Sequence, residues 1–148
     1  MDSVSFLWSR LSDVQTLHFE SQSRTGTDWN GVGNGRVEIE QPQEDVLIWR
    51  ESGHWQQNGG RDIRFFNTFR WTRQEDKLSL EHLRFGENQP VFLFQLVPID
   101  ENTWRDAEPH LCRQDHYSAR LVIQDQCLNL SWTVSGPTRD ESINYCYE

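Results

Sequence analysis

The chain has 148 residues, 35% of them hydrophobic, and a formal net charge of −9 from 23 acids against 14 bases. That length suits one domain spanning residues 1–148, large enough to bury a core without disulfides or metal. Lys77 is the one lysine and the Arg residues are dispersed, which excludes the concentrated positive field that nucleic-acid binding requires.

The mean hydropathy is −0.79, and no run approaches the roughly 20 apolar residues of a membrane span. The opening residues from Met1 to Trp8 lack a cationic start and an apolar core, so no secretory signal is expected and the chain reads as soluble and cytoplasmic. Cys112, Cys127 and Cys146 form an odd set without CxxC spacing, which suits reduced thiols. Seven Trp, eight Phe and three Tyr put much of the apolar volume into rings, so few, large side chains must build the core.

Phe6, Leu7, Leu11 and Val14 recur at helical spacing and predict one short helix from Ser3 to about Val14, with Ser3 as its cap. His18 to Asn30 reads as an extended piece followed by a loop. The pattern then changes to period two. Gly31–Glu40, Asp45–Trp55, Asp62–Arg73, Lys77–Phe85, Val91–Ile99, Asp115–Gln124, Cys127–Ser135 and Glu141–Tyr147 read as strands. Turn chemistry such as Asn58-Gly59-Gly60, Gln74-Glu75-Asp76 and Gly136-Pro137 separates them.

With nothing helical between the strands, the connections are hairpins and the sheet is an antiparallel meander. Closure removes the two long edges that such a meander would otherwise expose. The expected fold is therefore all-β, a closed barrel with the helix available to cover one end, and a sandwich is the alternative. Eight strands would give a lumen that side chains just fill or that holds one small ligand.

Alternation assigns the faces. Ile63, Phe65, Phe69 and Trp71 share one side of their strand, and Leu128, Leu130, Trp132 and Val134 share one side of theirs. Continuing the same phase places Asn67 among the first set, His82 after Leu78 and Leu80, and Gln95 between Leu93 and Val97. Polar groups buried without partners cost about 1 to 3 kcal/mol each. These three must therefore pair with one another, with water or with a ligand held in an aromatic-lined pocket.

The segment from His110 to Tyr117 holds His110, Cys112 and Asp115 close together. A nucleophile set, in which Asp115 orients the His110 imidazole beside the Cys112 thiol, is one reading; part of a zinc site is another. The structural reading has Asp115 capping a turn and Cys112 packing as a small apolar residue. Arg139, after Gly136-Pro137, either ties a turn by an ion pair or holds a ligand carboxylate at the barrel mouth. Gly31, Gly33 and Gly35 are not followed by the Lys-Ser/Thr of a phosphate loop. Alternate glycines at a strand start instead let the backbone coil sharply or let a Trp ring lie across it.

His110-x-Cys112-x-x-Asp115-x-Tyr117, with Trp132-x-Val134-x-Gly136-Pro137-x-Arg139-Asp140 and a terminal Tyr, resembles a family of small uncharacterised domains of unknown function expected to be lipocalin-like. Trp29-x-Gly31-x-Gly33, Trp49-Arg50-Glu51-Ser52-Gly53 and Arg70-Trp71 fall where that family carries a glycine-led strand, a Tyr-x-Glu-x-Gly turn and an Arg-x-Tyr-x-Trp strand. The chain departs from it at Pro90-Val91-Phe92-Leu93, where the family tends to have Phe-His. The resemblance implies a calycin-type barrel and supplies no activity; with the strands read above, about eight to ten strands are expected.

The function expected from the sequence is binding of one small, largely apolar ligand, with no resident cofactor. Asn67, Trp71, His82, Gln95, His110, Tyr117, Trp132 and Arg139 are the expected contact residues. The alternatives are an enzyme, a hydrolase or isomerase, using His110 with Cys112 or Asp115; a haem or metal barrel using His54, His82 or His110; and an interaction module with an exposed patch drawn from Trp8, Trp29, Trp55 and Trp104.

Overall fold

The computed structural model describes residues 2–25, 29–107, 110–112 and 115–148, with the side chains of 110–112 outside the description. Helix α1 spans Ser3–Ser12. The strands are β1 (Thr16–Ser23), β2 (Gly31–Gln43), β3 (Val46–Gln57), β4 (Asp62–Arg73), β5 (Leu78–His82), β6 (Val91–Pro98), β7 (Thr103–Asp106), β8 (His110–Cys112), β9 (Asp115–Ile123), β10 (Leu128–Ser135) and β11 (Asp140–Tyr147).

Every pairing is antiparallel. The order runs from β1 through β7 to β9, β10 and β11, and β11 returns to β1. Ten strands thus close a ring. The eleventh, β8, lies along the edge of β9 that β7 leaves free: β7 pairs with Arg120–Val122 and β8 with Asp115–Tyr117. The sequence placed most strand bounds within a few residues. It missed β7, whose four residues are too short to show an alternation, and left β8 as an undecided extended segment.

The helix is capped by Asp2, not Ser3. The Asp2 carboxylate accepts from the Ser5 amide at 2.8 Å, which satisfies an otherwise orphaned donor of the first turn. Its buried face, Val4, Leu7, Trp8 and Leu11, follows the helical spacing seen in the sequence and joins the core at one end of the barrel. Several bonds hold it there. Arg10 Nη2 donates to the Gln124 carbonyl at 2.8 Å. The Glu148 carbonyl accepts from the Gln15 and Thr16 amides at 2.7 and 3.0 Å, and Val37 N–H donates to the Gln15 carbonyl at 2.9 Å. The Arg73 guanidinium lies 5.3 Å over the Trp8 ring. Leu47, Leu78, Leu96, Trp104, Leu121 and Leu128 are fully buried in the same core, so this end is plugged.

Trp8 and Trp104 are therefore core residues, and Trp55 is half-buried. Of the four Trp from which an interaction module would draw its exposed patch, Trp29 is the exposed one, at 37%. Among the described residues no helix is long and apolar enough to cross a membrane.

The glycines of β2 serve the interior. A Cβ at Gly31 would meet the Gln56 carbonyl and the Trp55 ring, and one at Gly33 the Phe19 ring, so two aromatic side chains lie against a strand that has none there. Gly35 faces Gly53 across the β2–β3 pairing, and a Cβ at Gly53 would run into the Asn34 carbonyl and the Gly35 Cα. Here the obstacle is backbone, which cannot swing aside. Gly53→Ala is therefore expected to destabilise the fold by about 1 to 3 kcal/mol. The check is the chemical-denaturation midpoint; an unchanged midpoint would mean that the close approach of β2 and β3 is not needed.

Candidate functional site

The inward faces change character away from the helix. Trp49 on β3, Phe69 and Trp71 on β4, Leu80 on β5, Leu130 and Trp132 on β10, and Ile143, Tyr145 and Tyr147 on β11 surround a cavity of about 210 Å³, with Trp29 reaching in from the β1–β2 connection. A second cavity of about 230 Å³ lies among Phe19, Ser21, Trp55, Ile63, Phe65 and Asn67 and again touches Trp29 and Ile143. These two shared side chains make the cavities neighbouring lobes of one lumen. The rings brace one another edge to face: Trp49 and Trp71 stand 5.7 Å apart, and Phe94 and Trp132 4.6 Å apart, within the range where aromatic pairs attract beyond their burial.

Behind this lining, in contact with residues of both lobes but lining neither, is a carboxylate. Glu51 is 1% exposed, in phase with Leu47 and Trp49 on β3, and it pairs across the sheet with Val37 on β2 and Asn67 on β4. The Tyr147 hydroxyl donates to Glu51 Oε2 at 2.8 Å, while Oε1 has no hydrogen-bond partner. Burial pushes the carboxyl up to about 7; the Tyr147 hydroxyl and the nearby Asn67 amide offset only part of that rise. The amide eases the charge without satisfying Oε1.

Burial and the Glu51 charge together push the Tyr145 and Tyr147 hydroxyls well above the ordinary range, so both phenols keep their protons at neutral pH. Ser21 is the other buried polar group of this region: its hydroxyl donates to the Trp29 carbonyl at 2.6 Å and accepts from Trp55 Nε1 at 3.1 Å. The indole N–H groups of Trp49 and Trp71 are buried without partners. The arrangement offers large aromatic faces, one strong acceptor and two unused donors.

Of the residues expected from the sequence, Asn67, Trp71 and Trp132 come together here. His82 shares the inward phase of β5 and stacks on Phe69 at 4.8 Å; burial, with a smaller effect from Arg84, lowers its pKa. Tyr117 and Arg139 meet at the opposite end of the barrel from the helix. Arg139 Nη1 donates to the Tyr117 hydroxyl at 2.9 Å and lies 3.9 Å from Asp115, and Nη2 pairs with Glu141 at 3.0 Å. Arg139 thus ties the turn to the rim, as the structural reading of that residue expects.

Gln95 is a correction. Phe94 and Leu96 are the buried residues of β6, so Gln95 faces outward, where its amide donates to Gln74 at 3.0 Å and Ser79 at 3.4 Å. Both phases of β6 are apolar, so alternation could not choose between them, and the β5–β6 pairing skips Leu93.

The side chains of His110 and Cys112 lie outside the described residues, although their backbones pair with Tyr117 and Asp115. Among the described residues no three His, Cys, Asp or Glu side chains group as a metal set. Cys127 and Cys146 are free thiols, and burial, with Cys127 beside it, pushes the Cys146 thiol up to about 12, which suits no nucleophile.

Glu51 is the residue that sequence reasoning missed. Its signal was present: an acid at the apolar phase of Leu47, Trp49 and Glu51, matched by Tyr145 and Tyr147 alternating on the last strand.

The model of a family of unknown function, DUF6314, matches residues 16–148, the whole barrel from β1 to β11. No curated protein matches the sequence. Several solved structures are similar to the chain. Three of them are a redesigned β-barrel, mFAP1, bound to DFHBI, at 10% identity over 95% of this chain and 97% of that one with a TM-score of 0.42; EF1p2_mFAP2b bound to DFHBI, at 8% over 95% of each with 0.44; and a de novo designed fluorescence-activating β-barrel, at 11% over 93% of this chain and 95% of that one with 0.40.

The Glu51 environment predicts a pH signature. A glutamate ionises near 4.5 when unperturbed and near 7 in this fold, so between those values the unfolded chain has released a proton that the folded one retains. Stability present below 4.5 is lost as pH rises to about 7, by about 3 kcal/mol in total. The groups around Glu51, namely Val37 on β2, Asn67 on β4 and the protonated Tyr145 and Tyr147 on β11, do not titrate in that window. Glu51→Gln should lack this loss. Unfolding free energies of both proteins measured across the window check it, and parallel curves would refute a perturbed Glu51.

Proposed function

The chain belongs to this family of unknown function, DUF6314, a membership that brings no activity with it, and from the geometry we propose that it is a small-molecule-binding barrel. The carrying observation is the incompletely filled lumen. A core made of interlocking Trp, Phe and Tyr at one level of a barrel would normally close on itself. Here two adjoining spaces of about 210 and 230 Å³ are left, walled by apolar rings with a few polar atoms without partners, the usual composition of a small-ligand site.

On this reading the ligand is small and largely apolar, at least in the part that meets the rings. Asn67, Trp71 and Trp132 contact it. His82 stands behind Phe69, and Tyr117 and Arg139 belong to the rim through which it enters. Gln95 takes no part. His110 joins the reading only as a residue of the β8–β9 hairpin beside that rim. The calycin-type, lipocalin-like character, a single domain over residues 1–148 and a soluble cytoplasmic setting are parts of the same proposal. The meander order and the helix that plugs one end support the first of these.

The test is calorimetric titration with 2-naphthylmethanol, a neutral aromatic probe, beside native mass spectrometry of the freshly purified protein. Saturable binding is expected, or a bound mass that disappears on denaturation. Ile143→Trp, which puts a ring where the lobes adjoin, should weaken probe binding tenfold or more, a loss of about 1.4 kcal/mol, while circular dichroism shows the barrel intact. No saturable binding and a bare mass would overturn the proposal.

A further inference from the structure

Resting on that reading, we infer that the lumen selects a small organic cation, an aromatic or amphipathic amine, whose charge is matched by Glu51. The first observation is the carboxylate itself. It is almost wholly buried, one oxygen has no partner, and its neighbours are a phenol, an amide and apolar side chains; among the described residues no Arg, Lys or His acts on it. A buried acid left without a counter-charge is costly, and it is a cost that a cationic ligand removes.

Position is the second observation. The residue that hydrogen-bonds Glu51, Tyr147, lines one lobe, and its cross-strand neighbour Asn67 lines the other. Along β3 the inward residues on either side, Trp49 and Trp55, line one lobe each. A cation in either lobe is therefore one layer of side chains from the carboxylate, in a low-dielectric interior where attraction over such a distance is strong.

The lining itself is the third. Trp29, Trp49, Trp71, Trp132, Tyr145 and Tyr147 surround the inner lobe, and the faces of Trp and Tyr attract cations. Competing bases are engaged or neutralised: Arg139 is paired with Glu141 and Asp115 at the rim, and burial disfavours the charged form of His82. The net charge of −9 further raises the local concentration of a cation around the molecule.

Three probes of one shape and three charges test this on the wild-type chain at about pH 8, where a glutamate in this setting and a primary amine are both largely ionised: 2-naphthylmethylamine, 2-naphthylmethanol and 2-naphthoate. Calorimetry should find the amine bound at least tenfold more tightly than the alcohol, and the naphthoate weakest. In Glu51→Gln, which keeps an acceptor for Tyr147, the advantage of the amine over the alcohol should disappear. Equal binding of amine and alcohol, or an amine preference that survives Glu51→Gln, would overturn the cation assignment and leave the binding barrel standing. Failure of all three to bind would remove both. The wild-type series decides the matter even where the variant folds poorly.

Discussion

Closure of the ring at ten strands is the constraint from which the rest of the molecule follows. The return of β11 onto β1, with β10 bridging to β9, removes both open edges. It also fixes a lumen wider than that of an eight-stranded barrel, whose interior side chains just fill. A chain with few aliphatic residues must occupy that width with rings and borrow volume from outside the sheet. Helix α1 supplies Val4, Leu7, Trp8 and Leu11 at one end, and the space beyond the reach of the helix falls to Trp, Phe and Tyr. The cavities of about 210 and 230 Å³ lie among these rings, in the half that the helix does not plug.

Within that half the glycines and the acid are linked. Gly31 and Gly33 give up their side chains so that Trp55 and Phe19 can lie over β2. Gly35 and Gly53 bring β2 and β3 close, and two residues further along the same inward phase stand Val37 and Glu51, also directly paired. The pinch therefore sits next to the carboxylate, which is buried among rings. A residue chosen for stability at this position would be apolar. An acid whose second oxygen is unsatisfied weakens the empty barrel, the pattern expected where an interior is shaped for something other than its own stability.

Much of the architecture was legible from period-two alternation and turn residues, and the reasons for the exceptions are local. Asp62–Arg73 was placed to the residue because its phases differ sharply, Phe65, Phe69 and Trp71 against Arg64, Arg70 and Thr72. The strand at Val91–Pro98 carried apolar residues in both phases, and the position of Gln95 was settled by a bulge and by contact with β5, neither of which is a property of the segment alone. At the helix start, Asp2 and Ser3 are both good caps, and only the geometry of the first turn distinguishes them. Glu51 was hidden for a different reason. An acid in a strand is nearly always on the wet face, so the strong prior masks the exception, and the partner that makes the exception tolerable, Tyr147, lies 96 residues away.

That separation bears on how the interior is coupled to closure. Tyr147 is the last residue of β11, and the neighbouring Glu148 carbonyl accepts both amides at the entry to β1. The hydrogen bond to Glu51 therefore joins the strand that closes the ring to the strand that carries the buried charge. Tyr147 also packs edge to face on Trp49 at 4.9 Å and stacks on Tyr145 at 5.1 Å, so the phenol is fixed by rings on both sides and its donor is aimed before any ligand arrives. Preorganisation of this kind lowers the ordering cost of binding. It also means that the charge state of Glu51 is felt at the closing strand pair: an ionised carboxylate strengthens the bond to Tyr147, while its burial opposes ionisation. A ligand that lets Glu51 ionise would strengthen that bond, and through it the contact between β3 and the closing strand.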